Sequence, residues 1–88
     1  MNFFLFLGGD KLISELRWIE LFSNELNEMI KERNITQKDL AEMSGLAEST
    51  VSQYIHGLRI PNLRAIINMS YALDVDPGEL IDFGQRIE

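Results

Sequence analysis

Short polar side chains recur along residues 44–57, which read SGLAESTVSQYIHG. At about 100° per residue, this stretch has helical spacing with two different faces. One face, which we expect to contact the core, carries Ala47, Val51, Tyr54, Ile55 and Leu58. The other face carries Glu48, Ser49, Ser52, Gln53 and His56. The second set is rich in hydrogen-bond donors and acceptors, which suits it to bonding the polar edges of another molecule.

A helix that enters the major groove of DNA needs side chains of this kind, because its axis must come close to the base edges. A solvated helix face in an acidic protein more often carries a mixture of Lys and Glu, as in NELNEMIKER at 24–33. The pattern alone favours base reading and an ordinary polar surface about equally.

The segments around this stretch also have helical spacing. From Asp10 to Arg33, apolar residues recur at steps of three, four or seven, and Asp10 is a plausible N-cap. Ser23, with Phe22 before it, is a possible start for a second helix. The spacing leaves open whether one long helix or two helices cover residues 10–33.

Residues 34–57 contain the signals of two short helices joined by a tight turn. Thr36 is a predicted N-cap for QKDLAEMS, and Asn34 suits a left-handed position after the preceding helix. Gly45 and Gly57 suit the positive φ values that end the two helices. This outline is that of a helix-turn-helix, although many helical hairpins share it.

Two more helices are predicted in the last third of the chain. Pro61 restricts Ile60 and precedes LRAIINMSYAL, which has helical apolar spacing. A last short helix is expected to open at Asp76 and Pro77. No segment has the alternating pattern of a strand, so the sequence predicts an all-α fold.

The composition limits the classes of function. The 88 residues form one small domain, contain no cysteine and carry a net charge of −6. Acidic residues predominate at both ends, whereas residues 34–64 hold three Lys/Arg and three Asp/Glu. With one histidine, no phosphate loop and no acid/base pair, we expect no enzyme activity, no cofactor, no metal and no small-molecule ligand.

The N-terminal apolar run at 3–7 is too short to span a bilayer and lacks the features of a signal peptide. We therefore expect no membrane contact, and the absence of cysteine predicts a cytoplasmic protein. The run is expected to pack on the domain or on a partner chain; an unstructured leader is the alternative.

Residues 35–62, ITQKDLAEMSGLAESTVSQYIHGLRIPN, are similar to the helix-turn-helix core of the lambda repressor-like, Cro-like (XRE-type) DNA-binding family. The matching positions are Gln37, Leu40, Ala41, Gly45, Val51, Gly57 and Pro61. The similarity extends over about residues 22–83.

The resemblance implies a compact bundle of five short helices, to which this chain adds an N-terminal helix. It divides the chain into an apolar segment with the extra helix at 1–21, the helix-turn-helix domain at 22–83 and a tail at 84–88. The extra helix carries Leu12, Leu16, Trp18, Ile19 and Phe22, and is expected to join the core or a dimer interface.

The resemblance also implies roles for individual residues. The positions that match base-contacting residues, with their neighbour Ser52, are Glu48, Ser49, Ser52 and Gln53. The expected phosphate contacts are Thr36, Gln37, Lys38, Thr50, His56, Arg59 and Arg64. Gln53 is the strongest candidate, because its amide can bond an adenine edge through two hydrogen bonds.

The chain departs from the family pattern at three residues. Ala47 and Glu48 stand where relatives often carry Ser or Thr followed by a basic or amide residue. Glu48 has two open explanations, which are reading of cytosine N4 and a favourable interaction with the helix dipole. Ile55 stands where many relatives carry an acid, and an apolar contact with Ile30 is expected in its place.

These observations predict a transcriptional regulator, in the form of a homodimeric repressor, that reads a double-stranded DNA operator with residues 48–56. The alternative is an antitoxin-like or other protein-binding helix-turn-helix module with weak or no DNA binding, which the net charge of −6 favours.

Overall fold

A computed structural model of the chain describes residues 14–81. These residues form five helices and no strand. The helices are α1 (Glu15–Arg33), α2 (Gln37–Ser44), α3 (Glu48–Ile55), α4 (Leu63–Leu73) and α5 (Pro77–Ile81). The predicted all-α class is confirmed. Asp10, Leu12, the run at 3–7 and the tail at 84–88 lie outside the described residues.

The question of one or two helices is settled by α1, which is continuous from Glu15 to Arg33. The hydroxyl of Ser14 accepts the Arg17 amide at 3.1 Å and caps its start. Ser23 therefore opens no second helix and lies buried in the middle of α1. The predicted domain boundary between residues 21 and 22 falls inside this helix, so the segments on either side share one rigid element.

Each of the four longer helices ends in the same kind of turn. A residue with positive φ follows the helix, and the next amide bonds a carbonyl five residues back, as in a Schellman motif. The left-handed residues are Asn34, Gly45, Gly57 and Asp74. The predicted left-handed positions at 34, 45 and 57 are confirmed, and each turn reverses the chain so that the next helix packs back on the domain.

The core lies between the five helices, and α2 packs most extensively on α4 and α3. The core consists of apolar side chains, each less than a tenth exposed, from all five helices: Leu21, Phe22, Leu26, Met29, Leu40, Ala41, Val51, Tyr54, Ala65, Ile66, Met69, Leu73 and Leu80. Burying one side chain of this size stabilises a fold by about 1.5–3 kcal/mol. The N-terminal part of α1 adds Trp18, which stacks on Phe22 with ring centroids 5.4 Å apart. Leu16 points away from this core and is 80% exposed.

The two motif helices begin with different caps. Thr36 and Asp39 form a reciprocal capping box at α2: the Thr36 hydroxyl accepts the Asp39 amide, and the Asp39 carboxylate accepts the Thr36 amide, both at 2.9 Å. Ala47, which precedes α3 with φ −68° and ψ 143°, provides no side-chain bond. The start of α3 is therefore the weaker of the two.

Replacing Ala47 with Ser should stabilise the protein, because the Ala47 backbone already has the extended conformation of an N-cap. The new hydroxyl would accept an amide of the first turn, and we expect the free energy of unfolding to rise by about 1 kcal/mol in urea denaturation. The Ala47→Val variant, which offers no acceptor, is the control. An equal gain from valine would contradict the capping explanation.

The capping box at α2 predicts an acid-sensitive stability. The hydrogen bond from the Thr36 backbone N–H, followed by that with its side chain, lowers the pKa of Asp39 below the ordinary 3.8. The folded state therefore favours the ionised carboxylate, so this contribution is present at neutral pH and is lost as the pH falls through the folded-state value. Asp39→Asn should remove part of the acid-dependent loss of stability in urea titrations. Glu42→Gln, on the same helix, should leave it unchanged, and equal effects of the two variants would contradict the assignment.

Candidate nucleic-acid interface

The inner face of α3 holds this helix to the domain. Val51 is fully buried and Tyr54 is 3% exposed. The Tyr54 ring meets Phe22 of α1 edge-on, with centroids 6.3 Å apart and an interplanar angle of 85°. Ala41 of α2 is also buried, and its small side chain permits close approach of the two motif helices. The predicted core face is confirmed at Val51 and Tyr54.

Hydrogen bonds from α1 fix the C-terminal end of α3. The Ser23 hydroxyl donates to the Ile55 carbonyl at 2.6 Å, and the Asn27 amide donates to the same oxygen at 2.9 Å. This carbonyl lies in the last turn of α3, where helix carbonyls lack partners inside the helix. This contact was not predicted from the sequence. A polar pair four residues apart on the inner side of a long helix is the signal that could have indicated it.

Two residues of the predicted core face do not contact the core. Leu58 is 74% exposed, and Ala47 is exposed as well. The prediction for Leu58 extended the helical periodicity of α3 past its end. Because α3 ends at Ile55 and Gly57 adopts a φ of +69°, the chain has already turned away at Leu58.

The polar face of α3, which comprises Glu48, Ser49, Ser52, Gln53 and His56, lies on the outer side of the domain. Glu48, Ser49 and Gln53 are exposed and Ser52 is half-buried. The Glu48 carboxylate has no hydrogen-bond or ion-pair partner among residues 14–81. The backbone amides of Glu48 and Ser49 at the start of α3 are likewise free of a side-chain cap. An incoming polar group therefore meets unoccupied donors and acceptors at Glu48 and Ser49.

His56 is bonded back onto its own helix. Its Nδ1 lies 2.8 Å from the Ser52 carbonyl oxygen and 3.3 Å from the Ser52 hydroxyl. The donor and acceptor roles of the two ring nitrogens depend on the tautomer, and Nε2 has no partner among the described residues. A phosphate contact by His56 through Nε2 requires a proton on that nitrogen, because phosphate oxygens accept hydrogen bonds.

Gln53 and Arg59 are linked. The Arg59 guanidinium donates from Nη1 to the Gln53 amide oxygen at 3.1 Å. Sequence reasoning placed these residues in separate groups, one for bases and one for phosphates. The positive φ at Gly57 was the signal available, because a chain reversal there brings a residue six positions later back beside Gln53.

The start of α2 supplies a second group of donors. The Thr36 side chain is engaged in the capping box, so its predicted phosphate contact competes with that role. The free donors here are the backbone amides of Gln37 and Lys38, the Gln37 side chain and the exposed Lys38 ammonium. Thr50 is half-buried on α3, and Arg64 is exposed on α4 without a hydrogen-bond partner among the described residues. All these phosphate contacts stay predictions.

Within residues 14–81, no three His, Cys, Asp or Glu side chains come together as metal ligands. None of the helices in the same range combines the length and apolar character that a bilayer span requires.

The comparisons with known proteins agree with this geometry. The helix-turn-helix family model matches residues 26–80. An uncharacterized HTH-type transcriptional regulator of Bacillus subtilis, YqaE, is 33% identical over 55 residues, which are 62% of this chain and 47% of that protein. The chain thus spans about half the length of this curated relative.

A solved structure gives a longer match. The crystal structure of the restriction-modification controller protein C.AhdI from Aeromonas hydrophila superposes with a TM-score of 0.68 and 34% identity, over 70% of this chain and 94% of the controller protein. The family match covers α2 and α3, the two helices whose caps, turn and buried contacts are described above. This chain belongs to the helix-turn-helix family, with α2 and α3 as its motif.

Proposed function

We propose that the chain is a sequence-specific DNA-binding transcriptional regulator, a homodimeric repressor that places α3 of each protomer in the major groove of an operator half-site. The observation that carries the proposal is the outer side of α3, where short polar side chains and two uncapped amides are exposed on a helix whose other side is fixed to the core. Major-groove reading needs this combination of rigid support and unoccupied polar groups.

The contacts divide into two groups in this proposal. Glu48, Ser49, Ser52 and Gln53 meet base edges, and Gln53 bonds adenine through N6 and N7. The phosphate contacts come from the start of α2, from Thr50 and His56, and from Arg59 and Arg64. The relatives support this direction, since one is described as a transcriptional regulator and the other as a restriction-modification controller protein.

The net charge of −6 determines how such binding must work. A basic protein gains affinity for any DNA from its overall field, and this chain lacks that contribution. Base contacts, helix N-termini and the joining of two half-sites must supply more of the affinity. Nonspecific binding should accordingly be weak compared with operator binding.

One face of α4 has no neighbours among residues 14–81 and supplies a surface for a second copy of the chain. Leu63 and Tyr71 are 70% and 78% exposed, and the half-buried Ile67 lies between them at a spacing of four residues. Tyr71 borders a cleft of about 350 Å³ whose other walls include Asp74, Asp76 and Glu79. The α4 surface is thus apolar along its length and acidic at one end.

Charge complementarity favours an antiparallel pairing of α4 with its copy. Arg64 lies at the N-terminal end of α4 and the acidic cleft at the C-terminal end. When two copies pair antiparallel about a twofold axis, the Arg64 end of each faces the acidic end of the other, and Leu63 approaches the partner's Tyr71. The exposed Leu16 on α1 is the competing surface.

DNA binding is tested by selecting bound duplexes from a random pool and titrating the best one against salt. We expect enriched half-sites about one helical turn apart, about 10 base pairs. If Lys38, Arg59 and Arg64 of both protomers contact phosphates, the slope of log K against log salt should be about −5. Enrichment of G·C beneath Glu48 would support cytosine reading over the dipole explanation. Failure to enrich any sequence would contradict the proposal and favour the protein-binding alternative.

The dimer surface is tested by sedimentation equilibrium of two charge variants. Leu63→Glu places a carboxylate opposite the partner's acidic cleft and should shift the protein to monomer, whereas Leu16→Glu, a comparably exposed position on α1, should leave the dimer intact. A monomeric Leu16→Glu variant beside a dimeric α4 variant would show that the interface lies on α1. A wild-type protein that stays monomeric at the concentrations used for DNA binding, with and without operator, would exclude a homodimer.

A further inference from the structure

The turn after α3 places Arg59 beside the polar face of that helix. The Leu58 amide donates to the Gln53 carbonyl at 2.8 Å and the Gly57 amide to the Tyr54 carbonyl at 3.2 Å, so two bonds close the turn. The φ of +69° at Gly57 is part of the same geometry. The chain is thereby folded back along the last turns of α3, and residue 59 comes within reach of the side chain of residue 53.

The hydrogen bond between the two side chains restricts the Gln53 amide. Arg59 Nη1 donates to Gln53 Oε1 at 3.1 Å. A guanidinium has donors and no acceptor, so it can bond the oxygen of a glutamine amide and not its NH2 group. The amide is therefore held with its oxygen toward Arg59 and its two N–H donors directed elsewhere. Rotation of the amide by 180° would break the bond.

We propose that Arg59 is a positioning residue for base readout, which selects the orientation of the Gln53 amide and thereby sets the base preference at the position that Gln53 reads. The inference rests on the proposed function and differs from a phosphate contact by Arg59. An amide oxygen has two lone pairs, so Oε1 can bond Arg59 and still accept N6–H of adenine while Nε2 donates to N7. Adenine is accommodated in the held orientation.

Loss of Arg59 should weaken the distinction between adenine and guanine. A freely rotating glutamine can present its NH2 group to guanine O6 or N7 as readily as it presents both groups to adenine. It also loses more rotamer freedom on binding than a glutamine that is already held. The four remaining N–H donors of Arg59 are free to bond a nearby phosphate, which would couple backbone position to base reading.

The test measures affinity for four duplexes that differ at the base pair beneath Gln53. The proteins compared are wild type, Arg59→Ala, Gln53→Ala, the double variant and Lys38→Ala, which removes an exposed cation with no hydrogen-bond partner among the described residues. A bidentate contact gives a preference of roughly 5- to 150-fold. We expect Arg59→Ala to reduce the adenine-over-guanine preference to less than a third of the wild-type ratio and to weaken binding overall.

The controls separate positioning from a phosphate contact. Lys38→Ala should weaken all four duplexes equally, because a phosphate contact carries no sequence information. In the Gln53→Ala background, Arg59→Ala should leave the remaining base preference unchanged. If Arg59→Ala weakens all four duplexes equally in the wild-type background, Arg59 contacts phosphate only and the inference is wrong.

A measurement without DNA distinguishes failure of this inference from failure of the proposed function. The two side-chain N–H resonances of Gln53 should shift in the NMR spectrum of Arg59→Ala, and remain in place in Lys38→Ala. Absence of that shift would overturn the inference, whatever DNA the protein binds. A shift in a protein that selects no duplex from a random pool would leave the side-chain bond intact and overturn the proposed function instead.

Discussion

The attachment of α3 to α1 is the constraint on which the rest of the structure depends. An isolated helix of eight residues does not persist in water, because nucleation costs more than its few hydrogen bonds return. Here α3 is held by the buried Val51 and Tyr54 and by the Ser23 and Asn27 donors on the Ile55 carbonyl. These contacts use the inner side and the C-terminal end of the helix. The outer side of α3 therefore makes no contact with the core, and its polar residues are available to a partner.

The charge distribution of the chain is consistent with an α3 that packs on the core with its inner side and binds with its outer side. The acidic residues that give the chain its net charge of −6 are concentrated toward its two ends, and residues 34–64 are balanced. The uncapped start of α3 sacrifices one stabilising bond and leaves backbone amides exposed at the positive end of a helix dipole. Such amides attract phosphate without adding a cation. A binding surface of this type relies on geometry and repetition of half-sites rather than on a basic field.

Much of this fold follows from local signals in the sequence. The helix boundaries are predicted by single residues, because a cap or a positive φ depends on one or two residues. These residues are Asn34, Thr36, Gly45 and Gly57. The buried positions of α3 follow from periodicity, which fails beyond the helix, as Leu58 demonstrates.

Contacts between distant or differently oriented segments were harder to predict. Ser23 was predicted as a possible helix start. Its actual role as a hydrogen-bond donor was not predictable from neighbouring residues, because the acceptor is a carbonyl 32 residues away. The Arg59 bond to Gln53 depends on the turn between them, which spacing alone does not specify. The sequence predicts a set of candidate site residues, and the hydrogen bonds that link them are seen only in the structure.

The central claim is that the polar face of α3 reads DNA, and NMR titration of the labelled protein with a selected duplex tests it most directly. The account predicts that the largest shifts fall on the backbone amides of Glu48 and Ser49 and the side-chain amide of Gln53, with smaller ones at Gln37 and Lys38. Signals of the exposed part of α1 near Leu16 should stay in place. Shifts confined to α1 or α5, with residues 48–56 unchanged, would contradict it.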